Sequence, residues 1–423
     1  MIRTPLRWFK QLAAALVLLA GVVCCAEISL RVYDSYSGQV TRSRVYDRGL
    51  ICKSWFVHHE LKPLQRLRLP NPDGDGEVVL NTNRLGLRGP ERAIPKPPGV
   101  YRVLCLGDER TLAVGVDEAD TFCVRLQELL QTRSQARIEV INAGVPGYCP
   151  LLCCLLLEHK LLVLQPDLVI LNFDMSDIAD DYRYRRYAEM GDDGRPLACS
   201  HPGLEMRPPL GQPEANGKFL LPLWTKQNLG WLWTEKVLPP SPRGIDTPTG
   251  MYLWLEDEPP DWSMYIQQAM MPMESLRQLS EKAYAQFVVA CAPAPWQVAA
   301  DASDGEQVRE RAGVPQGVVY RSTIPFETLA SFLGERRIAF CDASPEFRAS
   351  EEGAGLFLRN RAALSPAGHA LYARTLAAFV IRNLRGAWGP MGSPGDSSEP
   401  AAGYPGRIRP ASAQEPARHA FPR

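Results

Sequence analysis

The stretch Tyr101-Arg-Val-Leu-Cys-Leu-Gly-Asp-Glu-Arg-Thr111 constrains this chain more than any other. A short apolar run, 103–106, stops at Gly107-Asp108-Glu109, and a helical pattern begins near Asp120 after a segment of small residues. A buried strand that ends in such a turn and feeds a helix belongs to an open parallel α/β sheet, whose chemistry sits at the carboxyl ends of the strands. The chain keeps that rhythm as far as 385. Strands are predicted at 102–106, 138–142, 168–173, 287–291 and 338–341, and helices at 120–132, 151–164, 273–285, 325–336 and 366–384. Near-continuous apolar strands separated by helices require a parallel sheet covered on both faces. The segment 151–164 is apolar nearly all round, which predicts a largely buried helix.

Upstream of the sheet, Arg3, Arg7 and Lys10 precede an apolar run from Leu12 to Ala26 that Glu27 ends. A positive flank before an apolar core without amphipathic period is the pattern of a signal peptide or signal anchor. The run is short against the ~20 residues usual for a span, and Trp8, Phe9, Ile28 and Leu30 extend it. This gives a cytoplasmic N-terminus at 1–11, a membrane anchor at 12–30 and a single-pass protein whose body lies outside the cytoplasm. Residues 31–98 read as a juxtamembrane region of short β pieces, with a turn at Asn71-Pro-Asp-Gly-Asp-Gly76 and a β-like run at 77–80.

Residues 99–385 are the α/β domain, interrupted at 183–272 by a proline- and tryptophan-rich insertion. Insertions of that length are lids, binding loops or disordered. Its aromatics suit either a cover over the strand ends or an ordered loop that fills a groove. From 386 to 423 the composition collapses to Gly, Pro, Ser and Ala, which predicts a disordered tail. With 47 basic and 47 acidic residues the chain has no electrostatic footprint for nucleic acid. The eleven cysteines lack metal-type spacing and several lie in apolar runs, so they read mostly as small buried hydrophobes.

Four places carry candidate chemistry. They are Gly107-Asp108-Glu109, Ile141-Asn-Ala-Gly-Val-Pro-Gly147, Leu171-Asn-Phe-Asp-Met-Ser-Asp177 and Leu358-Arg-Asn-Arg-Ala-Ala-Leu-Ser-Pro-Ala-Gly-His369. Together they resemble the sequence blocks of the SGNH (GDSL-type) hydrolase family. The resemblance implies a flavodoxin-like three-layer αβα sandwich with a central five-stranded parallel sheet. It also implies an esterase site: a serine after Gly-Asp as nucleophile, a glycine and an asparagine as oxyanion donors, and an Asp–His pair near the last helix. Carried over by position, Glu109 stands at the nucleophile beside Asp108, and Gly144 at the oxyanion glycine. Asp174 replaces the glycine of the third block and Ser176 its asparagine, while Asp177 is kept. Asn360 or Arg361 stands where the aspartate belongs, and Ala363 where the histidine belongs.

Ester hydrolysis by that route needs a hydroxyl nucleophile, a base for its proton and donors for the tetrahedral oxyanion. Glu109 and Ala363 supply neither nucleophile nor base, so no catalytic residue, resident metal or cofactor is expected. The expected protein is a degenerate, membrane-anchored member acting in binding, with a cell-envelope glycan or an acylated small molecule as ligand. The alternative is an active esterase or O-acyl transferase on acylated carbohydrate or lipid that uses a non-standard site. His369 reads as structural, bonding backbone near a helix start. His58, His59, His159, His201 and His419 show no partner spacing. Asp108, Glu109, Asp174 and Asp177, with Asp180 and Asp181 nearby, form an oxygen-rich set of the kind that holds hard cations. Pairing with Arg110, Arg359 or Arg361 is the competing expectation.

Overall fold

Five apolar runs assemble into one sheet in the computed structural model, which describes residues 4–37, 50–74, 76–202, 204, 251–259, 261–305, 307–384 and 386. The strands are β1 (Val100–Gly107), β2 (Arg137–Gly144), β3 (Leu168–Phe173), β4 (Gln286–Cys291) and β5 (Ala339–Asp342). All pairings are parallel and the order is β2-β1-β3-β4-β5. This is the flavodoxin-like order, with its topological switch between β1 and β3. The expected third strand coincides with β3, and the others differ only at their ends.

Alternation along each strand sends side chains into two separate cores. From β1, Leu104 and Leu106 enter one and Val103 and Cys105 the other. Val169, Leu171 and Phe173 of β3 separate from Leu168 and Ile170 in the same way. The helices that flank the sheet, cap its edge or precede it include α1 (Thr4–Ser37), α2 (Glu109–Leu112), α3 (Phe122–Gln131), α4 (Pro150–Leu156), α5 (Asp177–Arg185), α6 (Pro272–Lys282), α7 (Ile324–Glu335) and α8 (Pro366–Asn383). Leucines of α4, α6 and α7 fill the first core, while Leu126 and Leu130 of α3 and Leu376 of α8 fill the second. Each fully buried leucine contributes ~1.5–3 kcal/mol, so both faces of the sheet are stabilised by helices the sequence places there. The predicted helix at 151–164 is α4 continued by a π-helical turn, Leu157–Leu161, and a 3-10 turn, Leu162–Leu164. Every residue of α4 is buried, as its all-round apolar character requires.

The stretch before β1 packs into the domain. It holds two antiparallel hairpins, Ile51–Lys53 with His59–Leu61 and Arg66–Pro70 with Glu77–Asn81. Leu61, Leu80 and Leu87 belong to the first core. Lys96 Nζ meets the Asp167 carboxylate at 2.6 Å just before β3. Fully buried Arg102 of β1 donates to Glu139 at 2.7 Å and to the carbonyls of Leu164 and Ala93.

α1 is longer than the expected anchor, with Arg31 paired to Glu27 one turn before it at 2.9 Å. Its segment Ala14–Val32, 19 residues of mean hydropathy 2.1, is long and apolar enough to cross a membrane, a property signal sequences share. All eleven cysteines are unpaired; Cys24 and Cys25 are exposed on α1 and the rest are buried. Of the insertion, 205–250 with Trp224, Trp231 and Trp233 lies outside the described residues, as does the tail apart from Gly386. Its described ends pack against the domain. Trp254 donates from Nε1 to the Met175 carbonyl at 2.8 Å, and buried Tyr252 meets Trp296 edge-on at 4.5 Å.

Candidate functional site

β1 ends in Gly107 at φ 150°, where a Cβ would lie 2.2 Å from Thr111 Oγ1 and 2.9 Å from the Asn172 carbonyl. Only glycine lets the strand turn here into α2. Asp108 caps that short helix, its carboxylate accepting the Arg110 N–H at 2.9 Å. Glu109 is thereby placed in the first turn, at the carboxyl edge of the sheet next to the switch point. Its Oε2 accepts the backbone N–H of Gly147 at 2.9 Å.

That bond corrects the expected oxyanion glycine. The Gly144 N–H is taken by the Asn142 side chain at 3.0 Å and does not face position 109. Gly147, at φ 70° in the loop after β2, presents the N–H that does. Gly144 has a packing role: a Cβ there would lie 2.2 Å from Leu112 N, 2.7 Å from Thr111 C and 2.8 Å from the Asp108 carbonyl. All three are backbone atoms and cannot swing away. Gly144→Ala is expected to cost about 2–3 kcal/mol by overpacking, read as a lowered thermal midpoint, whereas Gly147→Ala acts through its positive φ and leaves this contact intact.

The third block fails as a donor too. Ser176 donates both its N–H, at 2.8 Å, and its hydroxyl, at 2.6 Å, to Asp174 Oδ1. Asp174 is in turn paired with Arg110 at 2.6 Å. In the fourth block Asn360 is turned outward. Its N–H and its side-chain amide bond Asp73 and the Pro72 carbonyl, each at 2.8 Å, and the Arg359 N–H also donates to Asp73. The predicted turn at 71–76 therefore clamps the loop in which the family carries its Asp–His pair. Ala363 is buried against Val116 and Leu358. Arg361 lines the cleft.

Around Asp108 the carboxyls crowd. Burial, then Asp174 and Glu109, holds Asp108 well above the usual carboxylate range. Burial, then Asp108, Asp174 and Asp180, does the same to Asp177, whose Oδ1 has no partner. Asp180 is pushed up to about 8, chiefly by burial. Arg110 meets the expectation of arginine pairing for Asp174, and the upward shifts of Asp108, Asp177 and Asp180 favour their uncharged forms. Among the described residues, no three His, Cys, Asp or Glu side chains are arranged to hold a metal ion.

His369 is structural, but not at its own helix. Its Nδ1 accepts the Phe122 N–H at 3.3 Å at the start of α3, and burial lowers it to about 3, so it is neutral there. His58 and His59, unremarkable by spacing, belong to a cluster. The two Nδ1 atoms lie 2.8 Å apart, His59 Nε2 meets the Pro146 carbonyl at 2.8 Å, and the His58 ring packs on His201 and Tyr184. Since a carbonyl only accepts, His59 donates from Nε2, and His58 donates to His59. Both rings are neutral, lowered by burial to about 3 and about 4. The relay supports the loop that carries Gly147. Its parts come from separate stretches of the chain, so no local signal announces it.

Glu109, Gly147, Ser176, Asp180, Arg183 and Arg361 line a cleft of about 580 Å³ together with Leu50, Leu67, Leu69, Val114, Pro146 and Met251. Such a volume lies within the ~300–1,000 Å³ range of small-molecule sites.

An open doubly wound αβα sheet of flavodoxin-like order, with these four blocks at its carboxyl edge, defines an SGNH-hydrolase-like fold. No protein-family model matches the sequence, and no curated protein matches it. Among solved structures the chain is similar to an acetylxylan esterase from Geobacillus stearothermophilus at 13% identity and TM-score 0.34, covering 67% of this chain and 96% of that one. An acetyl xylan esterase, AlAXEase, follows at 16% and 0.35, covering 66% and 100%. A putative lipolytic protein of the G-D-S-L family from Desulfitobacterium hafniense stands at 11% and 0.33, covering 66% and 99%.

Proposed function

We propose that this chain is a membrane-anchored pseudo-esterase that binds a ligand in the cleft at the carboxyl edge of its sheet and does not turn it over. One observation carries the reading: the Gly147 N–H, the donor that faces position 109, is satisfied by the chain's own Glu109 carboxylate. An oxyanion hole works by holding donors free for charge that develops in the transition state. Here an oxygen of the chain's own side chain occupies that donor. The neighbouring hydroxyl of Ser176 is committed to Asp174 and Ala363 offers no base. A carboxylate at 109 that attacked an ester would form an anhydride, with nothing placed to resolve it.

The ligand class that suits an apolar-walled, charged-floored cleft is an envelope glycan bearing acyl groups or another acylated small molecule. α1 anchors the chain and places the domain outside the cytoplasm, a direction supported by the positive flank of its apolar run. The test is hydrolysis of p-nitrophenyl acetate by the purified full chain, beside a Glu109→Ser/Ala363→His double variant. The unaltered chain is expected to match the protein-free rate, and turnover above it overturns the reading.

A further inference from the structure

The cleft holds two features that a lost hydrolase site leaves unused. One is an apolar wall. In the strand Arg66–Pro70, Leu67 and Leu69 fall on one face and Arg66 and Arg68 on the other, by the two-residue period of a strand. Leu67 and Leu69 line the cleft half-buried, with Val114 and Met251. The other feature is a pair of opposite charges. Glu109 commits Oε2 to Gly147, and its Oε1 has no partner among the described residues. The Arg361 guanidinium, on the same lining, likewise has none among the described residues. The other charged pair of the lining is closed on itself: Arg183 donates to Asp180 Oδ1 at 2.9 Å.

A wholly apolar ligand would strip water from both free charges without replacing it, which is costly. A purely anionic head would face Glu109, and a purely cationic one Arg361. We propose that the cleft takes a zwitterionic amphiphile, with its ammonium on Glu109, its anionic oxygens on Arg361 and its alkyl chain along Leu67, Leu69, Val114 and Met251. This rests on the reading of the cleft as a non-hydrolytic binding site, and puts a lipid-like zwitterion in place of the acylated glycan as its ligand. Charge-assisted hydrogen bonds supply the head contacts and the half-buried leucines the tail contact.

The test is calorimetric titration of the full chain in nanodiscs of an uncharged glycolipid, which offers the cleft no zwitterion, with empty discs subtracted. The probes are octylphosphoethanolamine, octyl phosphate, octylamine and phosphoethanolamine. The first is expected to bind about 10-fold or more tightly than any of its three parts. Arg361→Gln is expected to weaken it about 10-fold while sparing octylamine, and Glu109→Gln to weaken it while sparing octyl phosphate. Leu67→Ser combined with Leu69→Ser is expected to weaken the three octyl probes and spare phosphoethanolamine. Equal binding of the whole and its parts, or variants that weaken every probe alike, overturns the proposal. Binding of an acetylated oligosaccharide in place of the zwitterion overturns the ligand class and leaves the non-hydrolytic reading standing. Hydrolysis of p-nitrophenyl acetate removes that reading without touching the titration.

Discussion

Arg88→Met is expected to lower stability by about 3–4 kcal/mol and to loosen position 109, although Arg88 lies on a segment whose sequence asks only for turns. The side chain is buried and its guanidinium donates from Nη1 to the Leu112 and Ala113 carbonyls at 2.7 Å each, and from Nη2 to the Val116 carbonyl at 2.6 Å. Those carbonyls close α2 and the turn after it. Ala113 sits in the left-handed region at φ 61°, so the chain leaves the helix at once and cannot satisfy them itself. Hydrogen bonds to a charged donor contribute ~1.5–3 kcal/mol each, and a buried acceptor left without one carries its full desolvation cost. Against this stands what it costs to bury the cation, visible in a guanidinium held below its ordinary range by burial. The balance is a net loss of the stated size, about 5–10 °C in thermal midpoint for a domain this large. Arg88→Lys keeps the charge but not the fork and should fall between. Scanning calorimetry of the three proteins measures the difference, and a loss below about 1 kcal/mol for Arg88→Met would falsify the role given to its guanidinium.

The same residue shows where the sequence was legible and where it was not. β1 to β5 could be read because each is a continuous apolar run between helical segments, and a strand buried on both faces has no other way to look. The turn at 71–76 could be read from its glycines; a second turn forms at Gly86, where φ is 71° and a Cβ would lie 2.3 Å from the Leu61 carbonyl. That these turns belong to the domain could not be read. Arg88 and Asp73 act on backbone groups far along the chain, and no pattern marks a carbonyl as needing a donor. The substitutions at 109 and 363 were visible as residue types. Which glycine of Asn142-Ala-Gly-Val-Pro-Gly147 faces Glu109 was not, because two glycines three apart fit the same block and only loop geometry decides which N–H points at the site. The relay of His58 and His59 to Pro146 was hidden for the same reason.

Between pH 6.5 and 8 the protein is expected to lose stability as pH rises, the reverse of a protein held by paired carboxylates. Asp180 is pushed up to about 8 by burial, with Arg183 opposing and Glu109 and Asp174 adding to it. Burial and neighbouring carboxylates raise Asp108 and Asp177 as well. An unfolded aspartate releases its proton near 3.9, so across this window the native state holds protons that the unfolded chain has lost. Stability then falls with rising pH until the native carboxyls have also ionised. Histidines pull the other way at lower pH. Burial lowers His58 to about 3, His59 to about 4 and His369 to about 3. The unfolded chain takes up those protons below ~6.5, so stability falls again as pH drops through that range. The two slopes oppose each other between ~4 and 6.5; above ~7.5 the buried thiols, which burial pushes up, add to the carboxyl slope because unfolded thiols ionise near ~8.5. Asp180→Asn isolates one of them. Its amide oxygen can still accept the Arg183 bond that spans 2.9 Å in the native chain, while nothing remains to ionise. Relative to the unaltered protein the variant should gain stability steadily as pH rises from ~4 to 8 and keep that gain at pH 8.5, on the order of a few kcal/mol for a shift of this kind. Thermal midpoints measured from pH 6.5 to 8.5 decide the matter: a flat profile in the unaltered chain would show these carboxyls already ionised at neutrality, and the crowded edge of the sheet would need another source of compensation.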